Sequence, residues 1–371
     1  MFDALIVGAG PAGSATARLL AQAGWSVALV EKAQFPRRKV CGEFISAATM
    51  PVLKECGIAP AFIAAAGPPV MRVGLYAGNA MLISPQEQVW GRALGREHLD
   101  VMLRDAAVDA GAVLFQPAEV TATRRVDNLF FCTLEDGQEI VARTVVAASG
   151  SWNGKGAFNM PPGDGRPSAL FAFKGHFRGS ALPQGLMPLL GFPGGYGGMV
   201  HTDEGRVSLS CCIRRDSLAK VRLRYGGKAA DAVLAHISAT TRGVAQALDG
   251  AVTDGALLSV GPIRPGIRPR HADGIFFVGN IAGEAHPIIA EGISMALQSA
   301  HMLARMLIAA RGDEYAAAWR KRFAPRMRAA TIFASLAMRD GTRVASLAAI
   351  RALPGILGWG ARLSGKVAVS V

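Results

Sequence analysis

The sequence begins MFDALIVGAGPAGSATARLLAQAGWSVALVEK, residues 1–32, and this stretch decides the fold. The apolar run 3–8 predicts a strand, the small residues of 11–23 predict a helix, and residues 26–30 predict a second strand. A strand, a helix and a strand in this order form the unit from which parallel sheets are built. We therefore expect an α/β fold that begins with the first residues of the chain.

The turn between the first strand and the helix has the pattern G-x-G-x-x-G, as Gly8-Ala9-Gly10-Pro11-Ala12-Gly13. Glycines at these places let the backbone approach a pyrophosphate, whose charge is stabilised by the N-terminus of the helix. Glu31 closes the second strand, where a carboxylate accepts hydrogen bonds from a ribose diol and disfavours a 2′-phosphate. A glycine-rich turn without a ligand is the alternative. The position of the motif between strand and helix favours a dinucleotide site.

Composition limits the class of protein. The 371 residues are 51% apolar and 18% charged, which excludes a disordered chain and allows two or three domains. No uninterrupted apolar run reaches about 18 residues, so a spanning helix is not expected. The N-terminus does not have the form of a signal peptide. The five cysteines form no C-x-x-C pair, so we expect no metal site, no disulfide framework and a cytoplasmic location.

The net charge is +13, with local concentrations of basic residues at 37–39 and 320–328. Such runs are either solvated faces or contacts with an anionic partner or membrane surface. The chain has four Tyr and no interleaving of basic and aromatic residues, so a nucleic-acid partner is not expected.

The rest of the chain alternates between helix-like and strand-like segments. Residues 97–110 fit an amphipathic helix, and 128–148 predict a hairpin that turns at Asp136-Gly137. Residues 156–262 contain strand-like runs punctuated by Gly and Pro, followed by a helical stretch, and predict a separate sheet. Residues 275–307 return to strand, loop and helix. The tail, 313–371, is helix-rich and basic, and we expect breaks at Pro325 and Pro354.

Two further motifs identify the cofactor. The segment 96–103, REHLDVML, has the form R-x-x-L-D-x-x-L, and the segment 278–287, VGNIAGEAHP, precedes a helix that starts near Gly292. Together with the glycine motif, they resemble the flavoprotein family of para-hydroxybenzoate hydroxylase-type monooxygenases and geranylgeranyl reductases, over residues 1 to about 307. The resemblance implies bound FAD, with Arg96 lying along it and the 279–292 loop reaching the ribityl chain and the flavin ring.

The sequence departs from the family pattern at three places. Asn280 stands where the family has Asp, and its amide can still bond a ribityl hydroxyl. Ala290 replaces the first Gly of the family's G-x-G ending, where backbone N–H groups can still face the flavin. Ser149 replaces the Asp of the family's Ala-Asp-Gly strand end, and ordinary strand termination is the alternative for this stretch.

A loop at 35–43, FPRRKVCGE, resembles the F-P-R-x-K-x-C-G loop of geranylgeranyl reductase-like proteins, in which Cys-Gly lies beside the isoalloxazine. Cys41 is then either a buried spacer or a thiol that interacts with the flavin. Arg38 and Lys39 could lower the pKa of such a thiol.

The segment 193–198, PGGYGG, resembles the family's P-G-G-Y-G-W motif of the substrate sheet, with Gly198 in place of Trp. This departure argues against a long prenyl chain as substrate. The tryptophan halogenase signature W-x-W-x-I-P is absent. His286-Pro287 is closer to the monooxygenases, and an ordinary loop histidine is the alternative.

The resemblance implies the following site residues. The expected catalytic group is Cys41, Gly42, Tyr196 and Pro287. The expected cofactor-binding group is Gly8, Gly10, Pro11, Ala12, Gly13, Glu31, Lys32, Arg38, Cys41, Gly42, Arg96, Val120, Ser149, Gly150, Gly279, Asn280, Glu291, Gly292 and Ile293.

The predicted fold class is α/β (α+β), a Rossmann-like FAD-binding domain with a β-sheet substrate domain and a helical C-terminal region. The discontinuous FAD-binding domain is expected at 1–75, 95–155 and 263–310. The substrate domain is expected at 76–94 and 156–262, and the helical region at 311–371.

The expected function is an FAD-dependent, monooxygenase-type oxidation of a hydrophobic small molecule, either aromatic, polyketide or isoprenoid. A geranylgeranyl reductase-like reduction of C=C bonds and a non-catalytic flavin-binding homologue are the alternatives. Since no second G-x-G-x-x-G exists, NAD(P)H would bind transiently or an external reductase would deliver electrons. A monomer and a dimer are both compatible with the sequence. Tyr315, Trp319 and Phe323 form one helical stripe, which either packs as core or holds the enzyme against an anionic membrane.

Overall fold

The computed structural model describes residues 1–151, 158, 167–268, 271–272, 274–353, 355–363 and 365–366. In chain order the strands are β1 (Phe2–Val7), β2 (Val27–Val30), β3 (Phe44–Ser46), β4 (Arg72–Ala77), β5 (Ala80–Ile83), β6 (Gly91–Ala93), β7 (Val113–Phe115), β8 (Val120–Val126), β9 (Leu129–Leu134), β10 (Glu139–Ala147), β11 (Leu170–Arg178), β12 (Leu186–Phe192), β13 (Gly195–His201), β14 (Val207–Arg214), β15 (Val252–Thr253), β16 (Leu258–Ile263), β17 (Gly266–Ile267), β18 (His271–Ala272), β19 (Ile275–Phe277) and β20 (Gly283–Glu284). The α-helices are α1 (Pro11–Gln22), α2 (Met50–Glu55), α3 (Ala59–Ala65), α4 (Arg96–Asp109), α5 (Arg215–Tyr225), α6 (Ala229–Thr240), α7 (Arg242–Ala247), α8 (Gly292–Ile308), α9 (Tyr315–Met338), α10 (Asp340–Ala352) and α11 (Gly355–Leu363).

The first sheet has β7, β2, β1, β10 and β19 side by side and parallel. The four residues of β2 are all buried, as expected for a strand whose sheet is covered on both faces. Helices α1, α4 and α8 cover one face and share a core with it. The chain leaves β1 toward β2 on one side and returns to β10 on the other. This reversal opens a crevice at the carboxyl ends of the strands, where α/β sheets bind ligands.

The second sheet follows the order β15-β11-β14-β13-β12-β4-β5, with β16 also paired to β11. Strands β11 to β14 are antiparallel, and β4 runs parallel to β12. One face packs against α5, α6 and α7 through Phe173, Phe177 and Ile213. Because side chains alternate along a strand, Ala172, Tyr196 and Cys212 lie on the opposite face, toward the first sheet.

The predicted strand–helix–strand start, the helix at 97–110 and the hairpin all form within two residues of their expected bounds. Strand β12 is not among the predicted strands. Strand β4 begins at Arg72, inside the segment expected to belong to the first domain, and it pairs within the second sheet.

The tail contradicts one expectation. Helix α9 runs through Pro325 without a break. Pro325 is exposed, so water can hydrogen-bond the backbone carbonyl that the proline leaves without a donor. The expected break at Pro354 lies outside the described residues. Tyr315, Trp319 and Phe323 of α9 are fully buried in the core of the first sheet, which is the packed alternative for this stripe. Among the described residues, no helix is long and apolar enough to cross a bilayer.

Candidate functional site

Three parallel strands end at the crevice, and a predicted cofactor-binding residue follows each of them. Gly8 follows β1, Glu31 follows β2 and Ser149 lies two residues beyond β10. Gly8 has a φ of 107°, and a Cβ there would lie 2.6 Å from the carbonyl oxygen of Ala148. The backbone therefore bends here in a way that only glycine allows, and it passes close to the end of β10.

The glycine turn leaves the N-terminus of α1 open. A Cβ on Gly13 would lie 1.7 Å from the Gly8 carbonyl oxygen, so helix and turn pack with no room for a side chain. Gly10 is the N-cap residue and supplies no side-chain cap, and Pro11 is the first helical residue. An uncapped helix N-terminus of this kind stabilises a phosphate group.

Arg96 lies beside this turn. A Cβ built on Gly10 would lie 3.8 Å from a terminal nitrogen of Arg96. The guanidinium makes two hydrogen bonds to the Asp100 carboxylate, from Nε at 2.6 Å and Nη2 at 2.7 Å. Burial works to lower the pKa of Arg96, but the adjacent Asp100 outweighs it and raises the pKa. The first and fifth residues of the R-x-x-L-D motif thus form one rigid ion pair, whose guanidinium lies next to the expected pyrophosphate.

Glu31 is buried, and both of its carboxylate oxygens accept backbone hydrogen bonds. Oε2 accepts from Ala9 N–H at 2.9 Å, and Oε1 accepts from Ala33 N–H at 2.9 Å. Arg37 Nη2 lies 3.4 Å from Oε2. The buried Nε of Arg37 has no hydrogen-bond partner among the described residues. A carboxylate with spare lone pairs beside a cation with a spare donor fits a group that carries both a diol and phosphates, as FAD does.

Three predicted side chains are not brought to the glycine turn. Lys32 is 64% exposed and pairs with Glu119 at 3.1 Å. Arg38 donates to the Asp254 carbonyl at 2.7 Å and lies 3.3 Å from Glu97. The Val120 side chain is buried in a separate core cluster beneath the hairpin. Sequence reasoning selected Arg38 where the structure places Arg37, since neighbouring residues of a loop cannot be ranked by type alone.

The loop 279–293 meets the glycine turn from the other side. Gly279 has a φ of 69°, and a Cβ there would lie 2.9 Å from the Ala12 Cβ. Its N–H donates to Ser299 Oγ at 3.1 Å. The Asn280 amide donates to Ser151 Oγ at 2.7 Å, which places Asn280 just beyond the Ser149-Gly150 strand end.

Gly292 begins α8, so the N-terminus of this helix directly follows the loop. The fully buried Glu291 accepts from Ser46 Oγ at 3.1 Å and from Lys366 Nζ at 3.0 Å. The Ile293 side chain is buried in the core of the first sheet. Lys366 also donates to the Ile289 carbonyl. This tail lysine was missed by sequence reasoning, because nothing in its local sequence links it to the loop.

The Cys41 loop is tied to the second sheet by a buried cluster of charges. The Glu43 carboxylate accepts from Lys174 Nζ and pairs with His176 Nε2 at 2.8 Å, and its side chain is fully buried. Burial works to raise the pKa of Glu43, but the His176 hydrogen bond and the Lys174 charge outweigh it and lower the pKa. Lys174 and His176 alternate on β11, a two-residue spacing that could have flagged them as sharing one face.

Cys41 and Gly42 therefore lie between the two sheets. Cys41 is partly exposed and accepts a hydrogen bond from Glu43 N–H at 3.4 Å. A Cβ on Gly42 would lie 3.3 Å from Ser210 Oγ of β14. Burial, reinforced by the nearby charges of Arg37 and Arg96, lowers the pKa of Lys39 to about 8.

Tyr196 of the second sheet and His286 of the 279–293 loop also contact each other. Tyr196 OH lies 3.0 Å from His286 Nδ1, so the second sheet and the 279–293 loop share a hydrogen bond just before Pro287. Burial raises the pKa of Tyr196 well above its ordinary value, and burial lowers the pKa of His286 to about 4. Both groups are neutral at physiological pH. Cys212 also hydrogen-bonds Tyr196. The apolar side chains packed around Tyr196 are Val40, Ala172, Val260, Ile263, Ile288, Ala334, Ala337 and Met338.

One group of residues, Glu97, His98 and Asp203, has the spacing of metal ligands. Arg206 already binds Asp203 and lies 3.2 Å from Glu97. We therefore assign this group to an ion-pair network between α4 and the second sheet.

The comparison with known proteins agrees with this geometry. Residues 1–154 match the sequence profile of the FAD binding domain family. Menaquinone reductase of Mycobacterium tuberculosis (strain ATCC 25618 / H37Rv) is 33% identical over 156 residues, which is 40% of this chain and 38% of that protein. Digeranylgeranylglycerophospholipid reductase 2 of Methanopyrus kandleri is 29% identical over 339 residues, 88% of this chain and 82% of that protein.

The fold is also found in solved structures. The flavin-dependent brominase Bmp2 superposes with a TM-score of 0.77 at 20% identity, covering 99% of this chain and 94% of that chain. These values show a common fold. An FAD-binding domain with its glycine turn, Arg96 and Glu31 at one crevice defines a flavoprotein. Residues 1–154 therefore form an FAD-binding domain, and the proteins that this chain resembles are flavin-dependent enzymes, in agreement with the expected enzyme class. The expected fold class and the expected FAD cofactor are thereby confirmed.

Proposed function

We propose that this protein reduces a carbon–carbon double bond in a hydrophobic, isoprenoid-type substrate. The observation that carries the proposal is the hydrogen bond between Tyr196 and His286, at the junction of the second sheet and the flavin-side loop. Reduction of a C=C bond needs a proton source in the site, whereas flavin oxygenation does not require a protein acid. A buried, proton-bearing pair in an otherwise apolar site therefore favours reduction.

The residues that would hold FAD are those of the crevice. The uncapped N-terminus of α1 and Arg96 would bind the pyrophosphate, while Glu31 and Arg37 would bind the ribose side. Asn280 and the N-terminus of α8 would contact the ribityl chain and the flavin end. When bound in its reduced form, FAD supplies two electrons and one of the two hydrogens that saturation of a double bond requires.

Tyr196 would supply the second hydrogen as a proton. Its raised pKa keeps the phenol protonated, and the carbon that becomes reduced is a far stronger base than a phenolate. His286 is the next group along the hydrogen bond, and it would return a proton to the phenolate from solvent. Glu43, Lys174 and His176 would fix the Cys41 loop against the second sheet, so that the reacting carbon is held between the two halves of the site.

The substrate class is supported by the apolar lining of the site and by the relatives. Two relatives that match more than four fifths of this chain are named as a menaquinone reductase and a digeranylgeranylglycerophospholipid reductase. Gly198 in place of a Trp leaves more room on the substrate sheet than the family motif does. This replacement argues against a long prenyl chain, so the proposed substrate carries a short isoprenoid group. The electron donor is proposed to be NAD(P)H in a transient complex or an external reductase.

Monooxygenation of an aromatic or polyketide substrate is the second candidate. The apolar group around Tyr196 would exclude water, and a dry pocket is what flavin oxygenation needs. Tyr196 would then orient the substrate by a hydrogen bond and would transfer no proton.

An anaerobic single-turnover experiment separates the candidates. Photoreduced enzyme is mixed with a geranyl or farnesyl lipid that carries no quinone, and flavin absorbance is followed before oxygen is admitted. We expect reoxidation without oxygen and a product that is heavier by two hydrogens. Reoxidation only after oxygen, with one oxygen atom in the product, would support monooxygenation instead. No reoxidation under either condition would identify a non-catalytic flavin carrier.

A further inference from the structure

The positive charge of this protein is concentrated at one end of the chain. Residues 315–371 contain ten basic residues and one acidic residue, Asp340, so they carry nine of the thirteen net positive charges. Five of the ten lie between Arg320 and Arg328 of α9, and among them Arg320, Lys321, Arg322 and Arg328 are exposed. Arg339, Arg351 and Arg362 follow on or beside α10 and α11 and are also exposed. A second basic segment, residues 206–228, has seven basic residues and one acidic residue.

The same three helices expose large apolar side chains. Ile332, Phe333 and Leu336 lie on the second half of α9, and Leu353, Ile356 and Trp359 lie on or just before α11. Leu353 and Trp359 are 64% and 62% exposed. This set is distinct from the Tyr315, Trp319 and Phe323 stripe, which is buried. We call the six exposed apolar residues, together with Arg328, Arg339, Arg351 and Arg362, the tail surface.

The spacing along α9 places both kinds of residue on one side. Lys321, Arg328, Ile332 and Leu336 recur at intervals of four or seven and share the face opposite to the buried Phe323 and Met327. An amphipathic helix that presents basic and apolar residues to solvent is typical of a protein that lies on a membrane surface.

The tail surface is also next to the reaction end of the site. On the second half of α9, Ala334, Ala337 and Met338 pack with Tyr196 and Cys212 of the second sheet. The adjacent Phe333 and Leu336 point outward. One turn of helix therefore separates the apolar lining of the site from the apolar surface of the protein.

We propose that the tail surface docks this protein on an anionic lipid bilayer. Charge complementarity selects this partner, because a second copy of the chain would bring the same positive surface against it. The apolar side chains would enter the headgroup region, and the arginines would contact lipid phosphates. Docking would be peripheral, and it would bring the site within reach of a substrate dissolved in the bilayer. The proposal stands independently of which reaction the flavin performs.

Vesicle flotation with the full holoprotein tests the proposal. The vesicles are either pure phosphatidylcholine or contain about 30% phosphatidylglycerol, at about 50 mM and about 500 mM salt. We expect binding to the anionic vesicles at low salt, at least about tenfold weaker at high salt and on neutral vesicles. Equal or negligible flotation on both vesicle types would overturn the proposal.

Variants with matched controls locate the surface. The double variant Leu353→Ser/Trp359→Ser removes apolar contacts, and Arg339→Gln/Arg351→Gln removes charge. The segment Arg222-Leu223-Arg224 is exposed, and its helix α5 packs on the face of the second sheet opposite to the face that α9 contacts. Leu223→Ser and Arg222→Gln/Arg224→Gln are therefore the controls. We expect each tail variant to lower the bound fraction at least about fivefold, and the controls to change it less than about twofold.

Two outcomes contradict this assignment. Controls that lose as much binding as the tail variants would show a non-specific effect of net charge. A wild-type dimer in light scattering without lipid, converted to a monomer by Leu353→Ser/Trp359→Ser, would show that a second copy covers the surface. Unchanged flavin absorbance and thermal unfolding in each variant confirm that the fold is retained. Trp359→Phe should keep vesicle binding and lose the lipid-induced blue shift of tryptophan emission.

Discussion

The two ends of the site are built in different ways. At the phosphate end, a turn of six residues, Gly8 to Gly13, brings backbone groups to the crevice, and a Cβ on Gly13 would meet backbone at 1.7 Å. At the reaction end, Val40, Tyr196 and His286 come from three separate segments of the chain and meet between the two sheets.

The two ends of the site should therefore differ in the substitutions that they tolerate. The phosphate end depends on backbone geometry, which a single added carbon would destroy. The reaction end depends on side chains that the fold holds in place, so one functional group can be removed there while the cofactor stays bound. Substitutions at each end can therefore separate cofactor binding from the reaction.

The largest expected effect is at the phosphate end. Gly13→Ala should abolish FAD binding, because the new Cβ would overlap the Gly8 carbonyl and force α1 away from β1. The measurement is the flavin absorbance of the purified protein relative to its protein absorbance. Gly341→Ala on α10 is the control, since a Cβ there has nothing within 4 Å. Full flavin content in Gly13→Ala would show that the turn tolerates a side chain.

Glu31→Ala should weaken FAD binding by about 1–3 kcal/mol, because ribose hydroxyls lose a charged acceptor and the Ala9 and Ala33 N–H groups lose theirs. Titration of apoprotein with FAD by flavin fluorescence measures the change. Glu31→Gln, which keeps an acceptor oxygen, should fall between wild type and Glu31→Ala. Equal affinity in all three proteins would remove Glu31 from the site.

Burial of His286 at the reaction end should make the unfolding free energy depend on pH. Burial lowers the pKa of His286 from its ordinary 6.5 to about 4, so the unfolded chain binds more protons between these values. Stability should therefore rise with pH across this window and be unaffected by His286 above it. Between about pH 7 and about pH 4, wild type should lose roughly 1–3 kcal/mol more unfolding free energy than His286→Asn. Urea unfolding measures both, and parallel pH curves would contradict the burial of His286.

The smallest effect is expected at Lys32. Its exposed pair with Glu119 faces solvent and contributes at most about 0.5 kcal/mol, so Lys32→Ala should leave both FAD affinity and stability unchanged. Arg37→Gln, in contrast, should weaken FAD binding, because Arg37 lies at Glu31. The same titration measures both variants. A loss of affinity in Lys32→Ala alone would mean that its side chain turns toward the cofactor when FAD binds.

The phosphate end of the site is largely predictable from the sequence, and the contacts between distant segments are not. The glycine turn and Glu31 are local patterns whose spacing predicts their chemistry, and the role of Arg96 in the R-x-x-L-D motif follows from the family resemblance. The cluster of Glu43 with Lys174 and His176, and the contact of Lys366 with Glu291, join residues that lie far apart in the chain. No local pattern encodes such pairs, because they depend on how the two sheets and the tail pack.

Helix α9 shows a similar limit. Pro325 predicts a break when only its missing N–H is considered. The helix continues because Tyr315, Trp319 and Phe323 before the proline and Met327 and Ala330 after it are all buried in one core. Burial of several large side chains outweighs the loss of one backbone hydrogen bond on the exposed side.

The central claim is that the two ends separate cofactor binding from proton supply, and Tyr196→Phe tests it most directly. The measurement is anaerobic reoxidation of the photoreduced flavin by a geranyl or farnesyl lipid that carries no quinone, alongside FAD affinity. We predict a rate at least about 100-fold slower than wild type with unchanged FAD affinity, and a normal rate in the control Tyr225→Phe on α5. An unchanged rate in Tyr196→Phe, or an equal loss of FAD affinity, would contradict the account.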